Sequence, residues 1–348
     1  VYMPDTDLPP LQMLRAWSLS DVRVSPLGSG LINRTWRVEA GASRFVMQQL
    51  NPVFPPVVNE DIRVITAHLR AKGLIAPELL AAEDGSYWQE YEGRIYRLMT
   101  WVAGTSHERI STAAQAREAG ALLARFHRTL ADLQYEFRNT RPGVHDTPRH
   151  LATLRRALTE HRAHPHYAAV CPLADEILAL AAVLEPLPEL PDRLVHGDPK
   201  INNILFDPLS DQALCLIDLD TLGRMPLPLE LGDAFRSWCN PRGEDDQRSA
   251  FSLEFFRAAV EGYASAAAGW ITPVECSSIV PATLTIYMEL AARFCADALN
   301  ESYFGWDASR YPSRSVHNQL RAASQMAAAR SLLDMRGAAD EVVRRVFG

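Results

Sequence analysis

The first hundred residues alternate apolar and polar positions with the period of two that is typical of β-strands. Glycine-containing turns separate several of these short segments, which is the pattern of antiparallel hairpins. The alternation predicts five strands, at residues 22–31, 33–38, 44–48, 87–91 and 95–102. We therefore expect a small antiparallel sheet in this part of the chain.

One helix is predicted inside this strand-rich part. Ile62, Ile65 and Leu69 recur at helical spacing, and Gly73 follows them as a helix stop. Asn59 precedes these apolar positions and is the expected cap at the start of the helix. The predicted order is thus three strands, one helix and a hairpin.

From residue 104 onward the apolar period becomes mainly that of α-helices. Thr112 and Gln115 have the spacing of a capping box. One apolar stripe follows them, formed by Ala119, Leu122, Phe126, Leu130 and Leu133. A proline-rich piece at residues 185–191 separates this region from the next.

Two short apolar strands are predicted at residues 204–206 and 214–217, and residues 247–348 are again helical. The chain therefore has an α+β pattern, in which strands with a single helix are followed by a larger helical part that carries one inserted hairpin.

The strongest chemical signal lies around these two short strands. The segment His196-Gly-Asp-Pro-Lys-Ile-Asn-Asn203 has the spacing His-x-Asp-x-x-x-x-Asn of kinase catalytic loops, and Asp218 ends the second strand. Phosphoryl transfer needs a carboxylate that receives the acceptor's proton and oxygen ligands that hold Mg²⁺ against the nucleotide phosphates. Asp198 is the candidate catalytic base, and Asn203 and Asp218 are the candidate metal ligands.

This order of elements and motifs is that of a bilobal, protein-kinase-like fold with a small antiparallel-sheet lobe and a larger, mainly helical lobe. We expect a nucleotide-binding lobe at residues 1–103 and a catalytic and substrate-binding lobe at residues 104–348, with the nucleotide between them.

Composition excludes several other functions. The formal net charge of −7, from 35 basic and 42 acidic residues, gives no support for binding to nucleic acid or to a membrane surface. No uninterrupted apolar stretch approaches the roughly 20 residues that span a bilayer. The five cysteines are scattered without the spacing of a zinc site. We expect a cytoplasmic monomer or homodimer with reduced thiols and a small-molecule acceptor.

The motifs resemble those of the aminoglycoside-phosphotransferase-like kinase superfamily, and within it the N-acetylhexosamine 1-kinase type. The closer resemblance is carried by residues 30–36, 46–54, 144–148, 219–221, 231–236, 292–297, 303–304 and 317–321. It implies a kinase that uses ATP and Mg²⁺ and assigns the catalytic base and the metal ligands to the same residues as the spacing does.

The expected phosphate-binding residues depart from the usual kinase pattern. Gly28-Ser29-Gly30 is either a phosphate-covering turn or an ordinary hairpin turn. Gln48 stands where many kinases carry the strand lysine that pairs with the nucleotide phosphates, and glutamine brings no charge. Our hypothesis is that Lys200, two residues after the base, supplies the missing positive charge; the alternative is a surface salt bridge.

Other positions are assigned smaller roles. The strand at residues 96–102 leads into the expected hinge, where the backbone at Met99 and Trp101 would meet the adenine. His196 is expected to brace the catalytic loop structurally. Asp220 is either a further metal or substrate ligand or a local hydrogen-bond acceptor.

The acceptor site rests on the resemblance. Arg293 and Tyr303 would bind sugar hydroxyls together with Asp198. Arg236 would line the site, and Asp233 would support it as its ion-pair partner.

The predicted function is ATP- and Mg²⁺-dependent transfer of the γ-phosphoryl group to a sugar hydroxyl, at the anomeric position of an N-acetylhexosamine or a related hexose. Two alternatives stay open at this point. The acceptor is an aminoglycoside, choline or an amino-alcohol, or the chain is a catalytically inactive nucleotide-binding regulator, which the absence of the strand lysine suggests.

Overall fold

The structure is a computed structural model that describes residues 8–28 and 32–348. Ser29 and Gly30 of the predicted phosphate-covering turn lie outside the described residues. Strands dominate the first hundred residues and helices the remainder. This confirms the predicted α+β class.

An antiparallel sheet occupies the first part of the chain. Its strands are β1 (Val22–Pro26), β2 (Arg34–Ala40), β3 (Ser43–Gln49), β4 (Gln89–Tyr91) and β5 (Arg94–Thr100). Their spatial order is β1-β2-β3-β5-β4. β1 ends at Pro26, earlier than the pattern predicts. β3 lies between β2 and β5, and Gln48 on β3 pairs directly with Arg97 on β5.

Two helices belong to this part of the chain, α1 (Leu11–Arg15) before the sheet and α2 (Val58–Ala71) between β3 and β4. The predicted apolar face of α2 is buried, and Gly73 follows it with φ +86°. The prediction that Asn59 caps α2 is wrong. The turn already begins at Pro55, whose carbonyl accepts from the amide of Val58 at 3.1 Å, so that Asn59 lies inside the helix with its side chain buried.

Nine further helices follow the sheet in the described chain. They are α3 (Ala113–Leu130), α4 (Thr147–Glu160), α5 (Tyr167–Val183), α6 (Leu227–Trp238), α7 (Leu253–Ala267), α8 (Pro273–Ser277), α9 (Ile279–Asn300), α10 (Arg314–Asp334) and α11 (Arg336–Phe347). Thr112 caps α3 as predicted, because its side chain accepts from the amide of Gln115 at 3.2 Å. The Gln115 side chain accepts from Ser111 rather than from Thr112.

Two small antiparallel strand pairs position the catalytic motifs. One joins β6 (Asp192–Val195) to β9 (Gly223–Pro226), and the other joins β7 (Ile204–Phe206) to β8 (Ala213–Leu216). The first polar segment, residues 196–203, connects β6 to β7, and the second, residues 217–222, connects β8 to β9. Because each segment links the same two strand pairs, the two segments run side by side.

The apolar core is continuous between α2 and the helical part. Ile62 and Leu69 of α2 share one cluster with Leu122 and Phe126 of α3. In the described chain, α9 alone has the length and apolar composition to span a membrane, but 78% of that stretch is buried inside the protein. It packs against α4, α6 and α10, as a core helix does. The division at residues 103 and 104 falls between β5 and α3 and stays a prediction.

Candidate active site

The loop after β6 turns sharply at a position that only glycine fits. Gly197 has φ +82°, and a Cβ atom there would lie 2.2 Å from the carbonyl oxygen of Thr221. The hydroxyl of Thr221 in turn donates to the carbonyl of His196 at 2.9 Å. This close approach holds residues 196–203 against residues 217–222.

A buried carboxylate fixes the backbone of the same loop. Glu230 lies in the first turn of α6 and is fully buried. It accepts from the backbone amides of His196 at 2.8 Å and Gly197 at 3.0 Å. His127 of α3 approaches this carboxylate at 3.5 Å. Because both bonds come from a side chain that is fully buried, the protein core sets the position of the loop.

His196 makes the contacts expected of a bracing residue. Its ring is buried. Nε2 lies 2.9 Å from the carbonyl of Ile217, and Nδ1 accepts from the amide of Asp198 at 3.3 Å. With Nε2 as the protonated nitrogen, the histidine joins the catalytic loop to the residue before Asp218.

Asp198, Lys200 and Asn203 come together in this loop. Asp198 and Lys200 form an ion pair, with side chains 22% and 29% exposed. The side-chain nitrogen of Asn203 donates to the backbone carbonyl of Asp198 at 2.8 Å and lies 3.3 Å from its Oδ2. The partner of Lys200 is therefore the candidate base itself.

The charges around this ion pair keep the candidate base ionised. Burial by itself would raise the pKa of Asp198, but the ammonium group of Lys200 outweighs it, and the pKa of Asp198 lies below its ordinary value. Burial likewise opposes the charge on Lys200, yet Asp198 and then Asp218 raise its pKa. Both groups are charged at neutral pH.

Asp218 belongs to the second polar segment, after β8. It has left-handed backbone geometry with φ +62°, immediately before a short 3-10 turn at residues 219–221. Burial, with a smaller effect from the charge of Asp220, raises its pKa. Within the described residues, its carboxylate makes no hydrogen bond or ion pair, and no hydrogen bond reaches the side-chain oxygen of Asn203.

Gln48 sits inside a network rather than at an open phosphate site. It is 9% exposed. Its side-chain oxygen accepts from Arg97 Nε at 2.9 Å and Nη2 at 2.6 Å, and its nitrogen donates to Thr35 at 3.2 Å. The charge missing from β3 is thus present on the neighbouring strand, as a buried guanidinium.

Asp220 receives that guanidinium. Arg97 donates to its Oδ1 at 2.6 Å and to its Oδ2 at 2.8 Å, and each side chain is 1% exposed. Asn33, just after the glycine turn, also donates to Oδ2, at 2.6 Å. Asp220 is therefore a hydrogen-bond acceptor, which is one of the two roles considered for it.

The expected hinge follows β5. The backbone of Met99 pairs with Val46 on one side and bridges to Leu79 on the other. Within the described residues, the backbone groups of residues 101–104 make no backbone hydrogen bonds, and pairing resumes at Thr105. The backbone that is free to bind adenine therefore begins at Trp101, whereas the predicted hinge begins at Met99.

The predicted acceptor residues form two groups. Arg236 is buried and pairs with Asp233 at 2.9 Å and with Glu244. Its charge reaches Asp198 and contributes to lowering the pKa of that carboxyl. Arg293 and Tyr303 contact each other, with Nη2 3.5 Å from the hydroxyl. No hydrogen bond or ion pair in the described chain joins this second group to Asp198.

Comparison with known proteins now adds to the geometry. A profile of the phosphotransferase enzyme family, APH, matches residues 23–268. The chain belongs to this family. The homoserine kinase of Azorhizobium caulinodans is 24% identical over 253 residues, which is 73% of either chain.

Two solved structures share the fold. A microcompartment-associated aminopropanol kinase has a TM-score of 0.65 at 19% identity, over 94% of this chain and 97% of that one. An amicoumacin kinase in complex with AMP-PNP, Ca²⁺ and Ami has a TM-score of 0.62 at 13% identity, over 91% and 92% of the two chains. As a member of the family, this protein is a small-molecule phosphotransferase with a hydroxyl acceptor. That removes the alternative of an inactive regulator.

The phosphotransferase has a donor set that fits a hard divalent cation. Asp218 is a half-buried carboxylate with no hydrogen-bond or ion-pair partner among the described residues, and the same holds for the side-chain oxygen of Asn203. Mg²⁺ characteristically takes one or two protein oxygens and completes its shell with phosphate oxygens and water. The described residues contain no cluster of three or more His, Cys, Asp or Glu side chains around a metal position, so nucleotide phosphates would have to complete the shell. The bound cation would neutralise phosphate charge.

Sequence reasoning missed the residues that support the phosphotransferase site. Arg97, Asn33 and Asn59 form the network around Asp220, and Glu230 anchors the catalytic loop. The sequence contains a signal for Arg97, because it is a charged residue within an otherwise apolar stretch, Ile95-Tyr-Arg-Leu-Met99. Glu230 left none, since its partners are backbone amides that come close only in the folded chain.

Proposed function

We propose that this phosphotransferase moves the γ-phosphoryl group of ATP, with Mg²⁺, to the anomeric hydroxyl of an N-acetylhexosamine or a related hexose. In this proposal, Asp198 orients and deprotonates the hydroxyl, and Asn203 and Asp218 hold the cation. In-line transfer needs positioning and charge neutralisation more than covalent chemistry.

The charge balance on the acceptor side carries the proposal for a neutral acceptor. Three carboxylates near the proposed acceptor residues are already paired within the described chain. Asp233 and Glu244 both bind Arg236, and the buried Glu289 accepts from Thr147 and contacts His145 Nδ1 at 3.0 Å. A polycationic acceptor needs unpaired carboxylates or an aromatic cage. A sugar needs hydrogen-bonding groups and a flat apolar surface instead.

An exposed aromatic side chain supports the same proposal. Tyr303 is 62% exposed, and Arg293 lies 5.6 Å from the centre of its ring. The backbone there is tightly held, because Asp297 accepts from the amides of Ser302, Tyr303 and Phe304 at 2.8–2.9 Å. A rigid ring with a neighbouring guanidinium suits the apolar face and the hydroxyls of a hexose.

Lys200 completes the proposed mechanism. The charges of both Asp198 and Asp218 raise the pKa of its ammonium group. This position suits a group that meets the γ-phosphoryl oxygens as they approach the base. We propose that it supplies part of the charge that the strand lysine provides in other kinases.

A second candidate is an amino-alcohol acceptor. The activities of the homoserine kinase relative and of the aminopropanol kinase favour it. So does Glu244, whose side chain is 41% exposed beside Arg236. The two candidates differ in whether the acceptor carries a positive charge.

A panel of acceptors tests the proposal. The protein is incubated with ATP and Mg²⁺ and with N-acetylglucosamine, N-acetylgalactosamine, galactose, homoserine, aminopropanol or ethanolamine, and products are identified by mass and phosphorus NMR. The proposal predicts an anomeric sugar phosphate, with Asp198→Asn as the inactive control. A phosphate ester of an amino-alcohol as the main product, with no sugar phosphate, contradicts it.

A further inference from the structure

The guanidinium of Arg97 has no donor left for a ligand. An arginine carries five N–H groups, and all five meet protein oxygens. Nε and one Nη2 hydrogen go to Gln48, and the other Nη2 hydrogen goes to Asp220. The Nη1 hydrogens go to Asp220 at 2.6 Å and to Asn59 at 3.2 Å. This buried cation therefore does not bind phosphate as it stands.

The partners of Arg97 come from different parts of the nucleotide site. Gln48 belongs to β3 and Asn59 to α2, whereas Asp220 lies in the short turn directly after Asp218. Asn33 adds the segment after the glycine turn, because it donates to Asp220 at 2.6 Å and accepts from the amide of Asn51 at 2.9 Å. One ion pair thus ties the sheet and α2 to the metal-binding segment.

We infer that Arg97 is a positioning residue for the metal site, which acts through Asp220 and contacts neither phosphate nor metal. The bidentate pair fixes the turn at residues 219–221, and with it the left-handed backbone of Asp218. Because the Asp218 carboxylate has no hydrogen-bond or ion-pair partner among the described residues, its direction depends on the backbone that this pair holds. Gln48 fits this arrangement because a neutral acceptor is required opposite Arg97.

The inference rests on the nucleotide and metal half of the proposed function and not on the identity of the acceptor. It is therefore tested by binding alone, with ADP and Mg²⁺ as probes and no acceptor present. Failure to find a sugar product leaves this test intact, and its own failure leaves the acceptor proposal intact.

The experiment uses the full chain with Arg97→Lys and Asp220→Asn, and measures ADP affinity by calorimetry over a range of Mg²⁺ concentrations. Arg94→Lys, an exposed position on the same strand, is the matched control. Loss of a residue that supports a metal ligand costs about 10- to 100-fold in metal affinity. The Mg²⁺ concentration at which the increase in ADP affinity is half complete, called the half-maximal Mg²⁺ concentration, should therefore rise at least about tenfold in both variants. It should stay unchanged in the control.

The two variants together separate the possible roles. If Arg97 acts by positioning, the double variant should need no more Mg²⁺ than either single variant, because each substitution already breaks the same Arg97–Asp220 pair. A direct phosphate contact predicts instead that Arg97→Lys weakens ADP binding even without Mg²⁺ while Asp220→Asn does not, and this result overturns the inference. A lower melting temperature with unchanged Mg²⁺ dependence also overturns it, since that is a purely structural role.

A milder variant keeps the test usable if these proteins fail to fold. Asn33→Ala removes one of the three donors to Asp220 among the described residues, and so loosens the carboxylate through which Arg97 acts. We expect the half-maximal Mg²⁺ concentration to rise about threefold, in line with the loss of one hydrogen bond. An unchanged value in a well-folded Asn33→Ala protein contradicts the inference.

Discussion

Two carboxylate–cation pairs influence Asp218 or the turn beside it, and they differ in exposure and in sequence separation. Asp198 and Lys200 are one-fifth to one-third exposed and belong to a single loop. Asp220 and Arg97 are 1% exposed, come from opposite parts of the chain and are fully hydrogen-bonded. Both pairs combine a carboxylate with a cation, so charge alone does not distinguish them.

The difference shows which pair can act on a substrate. Asp198 and Lys200 can exchange their mutual contact for an acceptor hydroxyl and a phosphoryl oxygen, because both reach the open side of the loop. The buried pair cannot, since taking either group out of the network leaves an uncompensated charge in the interior, which is strongly destabilising. One pair is suited to catalysis and the other to holding the site together.

The largest expected effect comes from Asp198, the proposed catalytic base. Asp198→Asn keeps the size of the side chain but removes the base, so kcat for any accepted substrate should fall about 10²- to 10⁴-fold. ADP affinity with Mg²⁺ should stay within about threefold, because the phosphate and metal contacts are elsewhere. Near-normal turnover in this variant would exclude Asp198 as the base.

Lys200→Met comes next and tests the cation of the exposed pair. Loss of one preorganised charge at the transferred phosphoryl group should lower kcat about 10²-fold. The ammonium group holds the pKa of Asp198 down; without it that pKa rises, and because the base acts when deprotonated, the acidic limb of the kcat–pH profile should move to higher pH. A decrease of only a few-fold with an unmoved limb argues that Lys200 forms only a salt bridge.

Gln48→Lys tests the buried pair and should have the smallest effect, on stability. A lysine there places a second positive charge against the Arg97 guanidinium in a buried site, so the free energy of unfolding should fall by about 2 kcal/mol without a gain in kcat. Adding Arg97→Gln to this variant should recover part of the loss. Gln49→Lys, the next residue on β3, is the control. Higher activity from Gln48→Lys alone would contradict this prediction, because it would show that a lysine at this position can bind phosphate as it does in other kinases.

Much of the surroundings of the exposed Asp198–Lys200 pair could be predicted from the sequence. Little of the surroundings of the buried Asp220–Arg97 pair could be. Asp198, Asn203 and Asp218 are encoded locally, by a fixed spacing and by a carboxylate that closely follows a short apolar strand. Arg97 and Asp220 are 123 residues apart, and their contact depends on how β5 and the segment after β8 meet. The misassigned cap at Asn59 has a local cause instead, because the turn that opens the helix already begins at Pro55.

The geometry of the proposed acceptor residues could not be predicted from the sequence for another reason. Arg293 and Tyr303 lie ten residues apart at the end of α9 and in the loop that follows. Their juxtaposition depends on Asp297, which draws three successive amides onto one carboxylate. No local sequence signal marks a carboxylate that shapes a loop rather than binding a ligand.

The most direct test of the contrast between the two pairs is a crystal structure of the protein with Mg²⁺ and a non-hydrolysable ATP analogue. We predict that the side-chain oxygens of Asn203 and Asp218 lie about 2.1 Å from the cation, while Arg97 still donates to both oxygens of Asp220. Asp220 turned onto the cation, or Arg97 bound to a phosphate, would contradict the division into an acting pair and a positioning pair.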